Sequence, residues 1–506
     1  MKKIPRLFFD SPARNLLLLA AILQLAVVLS LFTLGRLGVA PNQIDDRGLL
    51  FTALPDARDF DRETRESVDV LKHSGVRAWL SSPQNAHIRL YSLSYLVLGP
   101  LVGNNILSGE VVNLGCYLAI LILVFQIGKE LFDQAAARAA AAAVAVWPSF
   151  LVHNAQILKD PICVMAMLSL VLVITMWLTR ELSWSKGFAT GLLGSIAVAL
   201  IYTTRAGFWG LVALGVILIG AVFLLFRSAR ERSLLAGNTL SLVAVLLVAM
   251  SAIFLNRVAL TPQDQVVTQP TTSFATAKQN SAVMTADQQT NQGPSLPVSK
   301  TSQKEDDSGS PLSGAGSNAR REAAPVLQLA NAPTGLSSTP PVKRSRLIAL
   351  IQGLRDSFAY KYRDSGTLID SQVQFITTMD VVRYVPRAME IGFLAPFPNT
   401  WLSKGKGVGL SGRLLSGAEM LLAYILEMLA LFGVWRARQR LSTWFLFSVL
   451  LFGVTTLGLG LINVGALYRL RYGFFVLLIM LGMYGLTQVL PSYVMSADKR
   501  LSSSFS

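Results

Sequence analysis

The chain has 506 residues, 52% of them hydrophobic and 15% charged, with a mean hydropathy of +0.49. Soluble domains carry roughly 25% charge, so this composition excludes an ordinary soluble protein and indicates an all-α polytopic membrane protein. The formal net charge of +16 would suit nucleic acid, but the basic residues sit at the ends of apolar segments rather than in one aromatic-laced patch, which argues against that partner.

Met1 to Arg14 is a basic lead into the apolar run Asn15 to Gly35, about as long as the ~20 residues a span needs. Pro41 follows the only small-residue site, Gly38 to Ala40, so the run reads as an uncleaved anchor. Next comes Leu54 to Gly75, the densest carboxylate run in the chain, with Asp56, Asp59, Asp61, Glu63, Glu66 and Asp69. Phe60, Val68 and Leu71 share one helical face, and Lys72, His73 and Gly75 mark a C-terminus, so a surface helix is expected from near Asp59 or Asp61. Most of these acids then read as a cap and a solvated face paired with Arg58, Arg62 and Arg65. Asp56 precedes that helix beside the membrane, where a partly desolvated carboxylate can act as a base.

Further apolar runs at 107–127, 136–152, 159–179, 187–204, 207–227, 238–256, 416–435, 443–462 and 470–489 bring the expected spans to ten. Ile88 to Gly103 is shorter, carries Pro100, and reads as a shallow helix on one membrane face. With the N-terminus inside, the cytoplasmic pieces hold sixteen basic residues against six acids, as the positive-inside rule requires. Both termini are then cytoplasmic. The 36–106 loop, the turn from His153 to Lys159, Arg205, the excursion from Arg257 to about Leu415 and the tip at Tyr468 face outward. Cys116 and Cys163 fall inside apolar runs and cannot staple an exported domain.

The expected organisation is a membrane block over 1–256, a low-complexity linker over 257–345, interfacial helices over 346–415 and a second membrane block over 416–506. Residues 262–342 are too polar to bury a core, and disorder is expected there. From Arg346, Leu347, Ile351, Leu354 and Phe358 recur at helical spacing, as in an amphipathic helix on a lipid surface. Pro386, Pro396 and Pro398 should interrupt any span over 381–401, and GKGVGLSGR, which lacks P-loop spacing, reads as a flexible connector.

Several residues on the outward pieces have the chemistry of an anion site. Asp160 followed by Pro161 is a strong helix start, explained equally by capping or by a helix N-terminus that, with Lys159 beside it, attracts phosphate. Arg205, Arg469 and Arg471 lie on the outer edge, where they either snorkel to lipid headgroups or clamp a phosphate. His153 has no second ligand at metal spacing, which argues against zinc. Glu427 lies deep in its span and should be protonated or paired; Glu419, nearer the outer end, is the better candidate for a site.

Read together, these features resemble the polytopic GT-C class glycosyltransferases that use polyprenyl-phosphate sugars, especially the bacterial protein-mannosyltransferase-like branch. PDARDF is similar to that family's D-A-x-x-Y motif, with Phe60 at the tyrosine place. YSLSYLVLGPLVGNN, the GKELF span end, the Trp147 to Asp160 element, APFPNTW and LYRLRYGFF match later segments in order. An adjacent acidic pair is absent at Asp56, while Asp45 and Asp46 lie nearer the first span, so the base stays open between Asp56, Asp59 and that pair. The resemblance implies a GT-C-like bundle in the cell (inner) membrane that moves a sugar from a polyprenyl-phosphate donor to a glycan, lipid or protein acceptor, with inversion. Asp56 or Asp59 would be catalytic, and Lys159, Asp160, Arg205, Tyr468, Arg469 and Arg471 would bind substrate. No cofactor is required by the spacing, although the acidic cluster could hold a divalent metal. A polymerase of lipid-linked repeat units, a transporter or flippase of lipid-linked sugars, and a scaffold are the rival expectations.

Overall fold

The computed structural model describes residues 11–205, 208–232, 235–259, 345–363, 366–403 and 409–489. Among them the chain forms α1 (Ser11–Arg36), α2 (Pro55–Ser81), α3 (Ala86–Val102), α4 (Ile106–Leu131), α5 (Gln134–Ala145), α6 (Pro148–Asn154), α7 (Asp160–Thr179) and α8 (Trp184–Thr204). There follow α9 (Phe208–Glu231), α10 (Ala236–Ala259), α11 (Arg346–Lys361), α12 (Thr378–Leu394), α13 (Gly409–Arg436), α14 (Leu441–Gly460), α15 (Val464–Leu470) and α16 (Tyr472–Val489). Nine of these, α1, α4, α7, α8, α9, α10, α13, α14 and α16, are long and apolar enough to cross a membrane. The chain is an all-α multi-pass membrane protein.

The straight span expected over 136–152 is instead broken. Pro148 has no N–H to continue the helix, and its ring keeps Trp147 extended at φ −68°, ψ 114°. The chain therefore stops at Ala145 and restarts with proline in the first turn of α6, bent by 64°. A tenth crossing exists among the described residues only if this bent pair counts as one span.

The helices α7 and α16 form the centre and are buried on most faces. Outward faces elsewhere carry exposed Leu18, Phe188, Leu247 and Met428, the pattern of surfaces solvated by lipid rather than water. Small residues bring backbones into contact: a Cβ on Gly187 of α8 would lie 2.2 Å from the Gly237 carbonyl of α10, and one on Gly485 of α16 would lie 2.0 Å from the Leu429 carbonyl of α13. One end of the bundle is tied by basic residues. Arg180 Nε donates to Glu130 at 2.8 Å, and Arg227 donates to the Trp177 and Arg180 carbonyls at 2.8 and 2.9 Å.

Elements at the other end depart from expectation in instructive ways. The helix α2 begins at Pro55, breaks at Gly75 (φ 80°), and continues to Ser81. One face of α11 packs on protein: Ile348 and Ile351 bury against Phe375, and buried Arg355 donates to the Leu459 and Asp370 carbonyls at 3.0 and 2.7 Å, while Leu347 stays exposed. The helix α12 runs through Pro386 and ends only before Pro396. It is held along α14, where a Cβ on Gly458 would lie 2.0 Å from the Ala388 carbonyl, and this contact supports the helix through the lost N–H. Residues 409–413 of the expected connector form the first turn of α13, and 404–408 lie outside the described residues. So do the basic lead over 1–10, the low-complexity segment 262–342 and the tail from 490.

Candidate functional site

The loop after α1 is shaped by Asp45, whose carboxylate accepts from the backbone N–H groups of Arg47 (3.0 Å) and Leu49 (2.9 Å). Gln156, fully buried, accepts from the Leu50 N–H at 2.9 Å and donates to the Gly48 carbonyl at 3.2 Å, tying the loop to the segment ahead of α7. Asp46 is on the surface. The adjacent acidic pair thus braces a loop and lines neither of the cavities described below.

Asp56 stands in the first turn of α2 rather than ahead of it, one residue after Pro55. Proline suits that turn because its N–H would lack a partner, and the helix dipole favours a carboxylate there. Asp61, expected on a solvated face, is fully buried. It accepts from Arg47 Nη1 (2.6 Å), Arg65 Nε (3.1 Å) and the Tyr95 hydroxyl (2.8 Å), and so pays no penalty as an unpaired charge. This knot fastens α2 to α3 and to the loop, and thereby sets where Asp56 points.

Side chains from five helices join in one chain of ion pairs that includes Asp56. Its Oδ2 accepts from Arg469 Nη2 of α15 at 2.6 Å, and its Oδ1 from Lys361 Nζ of α11 at 3.3 Å. Arg469 Nε also lies 3.4 Å from Asp160 Oδ2 of α7, close enough for ion pairing without hydrogen-bond alignment. Asp160 Oδ1 in turn accepts from Arg205, at the end of α8. Burial alone would raise the Asp56 pKa, but Arg469 and Lys361 outweigh it and hold the carboxyl below its ordinary range. The Lys361 grip is the weaker one: its side chain is 59% exposed, and such pairs contribute about 0.2–1 kcal/mol.

Two cavities meet at this chain. A polar one of about 500 Å³ is lined by Asp56, Asp59, Phe60, Lys159, Arg205 and Lys361 among others. A largely apolar one of about 520 Å³ runs between the 50–56 loop, α6, α13 and α15, with Leu50, Leu54, Val152 and Leu415 on its walls. Asp56, Tyr362, Ala466 and Arg469 line both. Around the polar cavity five cations, Lys159, Arg205, Arg469, Lys361 and Arg62, face four carboxylates, Asp56, Asp160, Asp59 and Glu63. One positive charge is left over. Lys159 carries it, for among the described residues its ammonium has no carboxylate partner and lies 5.2 Å from the centre of the Phe60 ring. Burial and Arg205 push the Lys159 pKa down, against the pull of Asp160 and Asp56. The other face of this corner is His87, fully buried edge-on to Phe60; burial, Lys159 and Arg205 depress its pKa to about 3, so it is neutral. Such a pocket suits an anion whose charge the protein has left partly unmatched.

The structure therefore brings together Asp56, Lys159, Asp160, Arg205 and Arg469. Asp59 stands at the rim, with its side chain 59% exposed and paired to Arg62 at 3.4 Å. Tyr468 lines the apolar cavity, but its hydroxyl donates to Glu419, which also accepts from Trp147 Nε1 (3.2 Å) and the Ser149 N–H (2.7 Å). Glu419 thus caps the start of α6 from α13. Arg471 departs from the expected anion clamp. It is buried away from both cavities, donates to the Ala395 carbonyl at 2.7 Å and the Phe393 carbonyl at 3.3 Å, and secures the end of α12. Asp59, Asp61 and Glu66 of the acidic run pair with arginines, and no group of three or more His, Cys, Asp or Glu side chains among the described residues is placed to hold an ion. Sequence reasoning missed Lys361, Asp61 and His87 as members of this region. No local signal marks Lys361, which meets an aspartate 305 residues away. No protein-family profile, curated protein or solved structure matches the chain.

Proposed function

We propose that this protein is a GT-C-like membrane glycosyltransferase that moves a sugar from a polyprenyl-phosphate donor to a hydroxyl acceptor at the extracytoplasmic face of the cell membrane. The observation that carries this reading is the junction itself: an ionised carboxylate, Asp56, shared by an anion-suited polar cavity and an apolar cavity. The donor's phosphate sits against Lys159 and Arg205, whose buried Nε has no hydrogen-bond partner among the described residues, and its prenyl chain takes the apolar cavity. The acceptor oxygen attacks the anomeric carbon while its proton passes to Asp56. The bond from that carbon to the phosphate oxygen breaks, and its electron pair leaves with polyprenyl monophosphate, stabilised by the cations. A single displacement inverts the anomeric centre.

A second reading, a transporter of lipid-linked sugars, draws on the broken α5–α6 pair, since interrupted helices line transporter sites. Against it, paired repeats call for a second broken span, and the described residues contain one such pair. Proteoliposomes holding the purified protein and a radiolabelled polyprenyl-phosphate sugar separate the two. Labelled product and released polyprenyl phosphate are expected; movement of intact donor between leaflets without cleavage would establish the transporter instead.

A further inference from the structure

A carboxylate gripped by two cations is in the right form to accept a proton but is a poor acceptor, because each cation favours its charged form. The two grips on Asp56 differ in kind. Arg469 is buried, bonds at 2.6 Å, and is held in place by Asp160 as well. Lys361 is solvent-exposed, bonds at 3.3 Å, and ends a helix whose anchors lie elsewhere, at Ile348, Ile351 and Arg355. Among the described residues the Lys361–Asp56 contact is the one ion pair between α11 and α2. Lys361 also lines the same polar cavity as Lys159 and Arg205, and its long flexible stem lets the ammonium move within that cavity while the helix stays anchored.

We propose that Lys361 is a donor-sensing latch: it holds Asp56 Oδ1 in the resting protein and moves to the phosphate oxygens when a polyprenyl phosphate enters the polar cavity, so that the base is freed only in the donor-loaded site. This rests on the glycosyltransferase reading, and it assigns that site its regulation. Phosphate wins the exchange because it brings a full charge beside three cations, whereas Asp56 keeps Arg469 when Lys361 departs. Coupling donor binding to release of the base keeps the empty site from activating water.

The test uses the full-length protein in nanodiscs and polyprenyl monophosphate as the probe, with binding and lysine labelling measured together. Saturating probe is expected to slow amine-reagent labelling of Lys361 about tenfold, as the ammonium passes from an exposed pair into a charge-assisted contact, while polyprenol, the same chain without phosphate, leaves it unchanged. A double-mutant cycle gives the second readout. Asp56→Asn should tighten probe binding in both backgrounds by removing a negative charge, but about two- to fivefold more when Lys361 is present to be released than in the Lys361→Gln background. Binding of the probe with unchanged labelling, equal protection by polyprenol, or a gain of equal size in the Lys361→Gln background would each overturn the latch and leave the transferase reading standing. Failure of the probe to bind at all would overturn both.

Discussion

Replacing Asp56 by asparagine separates a catalytic carboxylate from a structural one. The amide has the same size and still accepts from Arg469, and Arg469 keeps Asp160, so the ion chain survives and the fold with it. What disappears is the capacity to take up a proton. General-base assistance is worth about 10²–10⁴ in rate, which at 1.36 kcal/mol per decade is about 2.7–5.4 kcal/mol of transition-state stabilisation. Because a negative charge leaves the edge of the anion pocket, donor affinity should hold or rise while kcat falls. Asp59→Asn is the control: its exposed side chain pairs with Arg62 at the rim, and a change within about twofold is expected. The assay is transfer from a radiolabelled polyprenyl-phosphate sugar in proteoliposomes over a range of pH. Asp56 is held below its ordinary value of 3.8, so its folded-state pKa is depressed. Its contribution to stability and its basic form are therefore both present above that value and are lost only as pH falls through the lower folded pKa. In kcat/KM, which reports the donor-free protein, the acid limb of the wild-type profile should lie below pH 3.8, and Lys361→Gln should move it upward. Transfer by Asp56→Asn within about threefold of wild type, or an equal loss in Asp59→Asn, would refute the assignment.

The remaining predictions concern the frame around the site. Asp61→Asn should destabilise the protein by about 2–4 kcal/mol in thermal unfolding, since it weakens charge-assisted bonds from Arg47 and Arg65; exposed Glu66→Gln should change stability by less than about 0.5 kcal/mol. Arg471→Lys should lower thermal stability by about 1.5–3 kcal/mol, because an ammonium cannot reproduce the spread of donors to Ala395 and Phe393, yet polyprenyl phosphate binding per folded molecule should be unchanged. A role in clamping phosphate would instead abolish that binding. Cysteines introduced at exposed Asp46 and Arg438, at opposite ends of the bundle, should react with impermeant reagent from opposite sides of the membrane.

Much of the frame was legible in the chain because it follows from one-dimensional quantities. Length and apolarity set nine of the expected crossings, since a helix in lipid needs only enough consecutive apolar residues. Proline 148 was equally visible, yet its effect was not, because whether a proline kinks a helix or ends it depends on what replaces the lost hydrogen bond. At Pro148 the restarted helix is capped by Glu419 from 270 residues away; at Pro386 packing on α14 keeps the helix continuous.

The sequence by itself determined that the chain crosses a membrane many times and that its unusual charges, Asp56, Lys159, Asp160, Arg205 and Arg469, lie between apolar runs or at their ends. Those facts need only residue type and order. The tertiary structure alone decided which of those charges meet, because ion pairing falls off over a few ångströms and the partners are separated by tens to hundreds of residues. It drew Lys361 onto Asp56, buried Asp61 as a knot, turned Arg471 toward backbone carbonyls, and, among the described residues, left Lys159 of the site beside the Phe60 ring without a carboxylate partner.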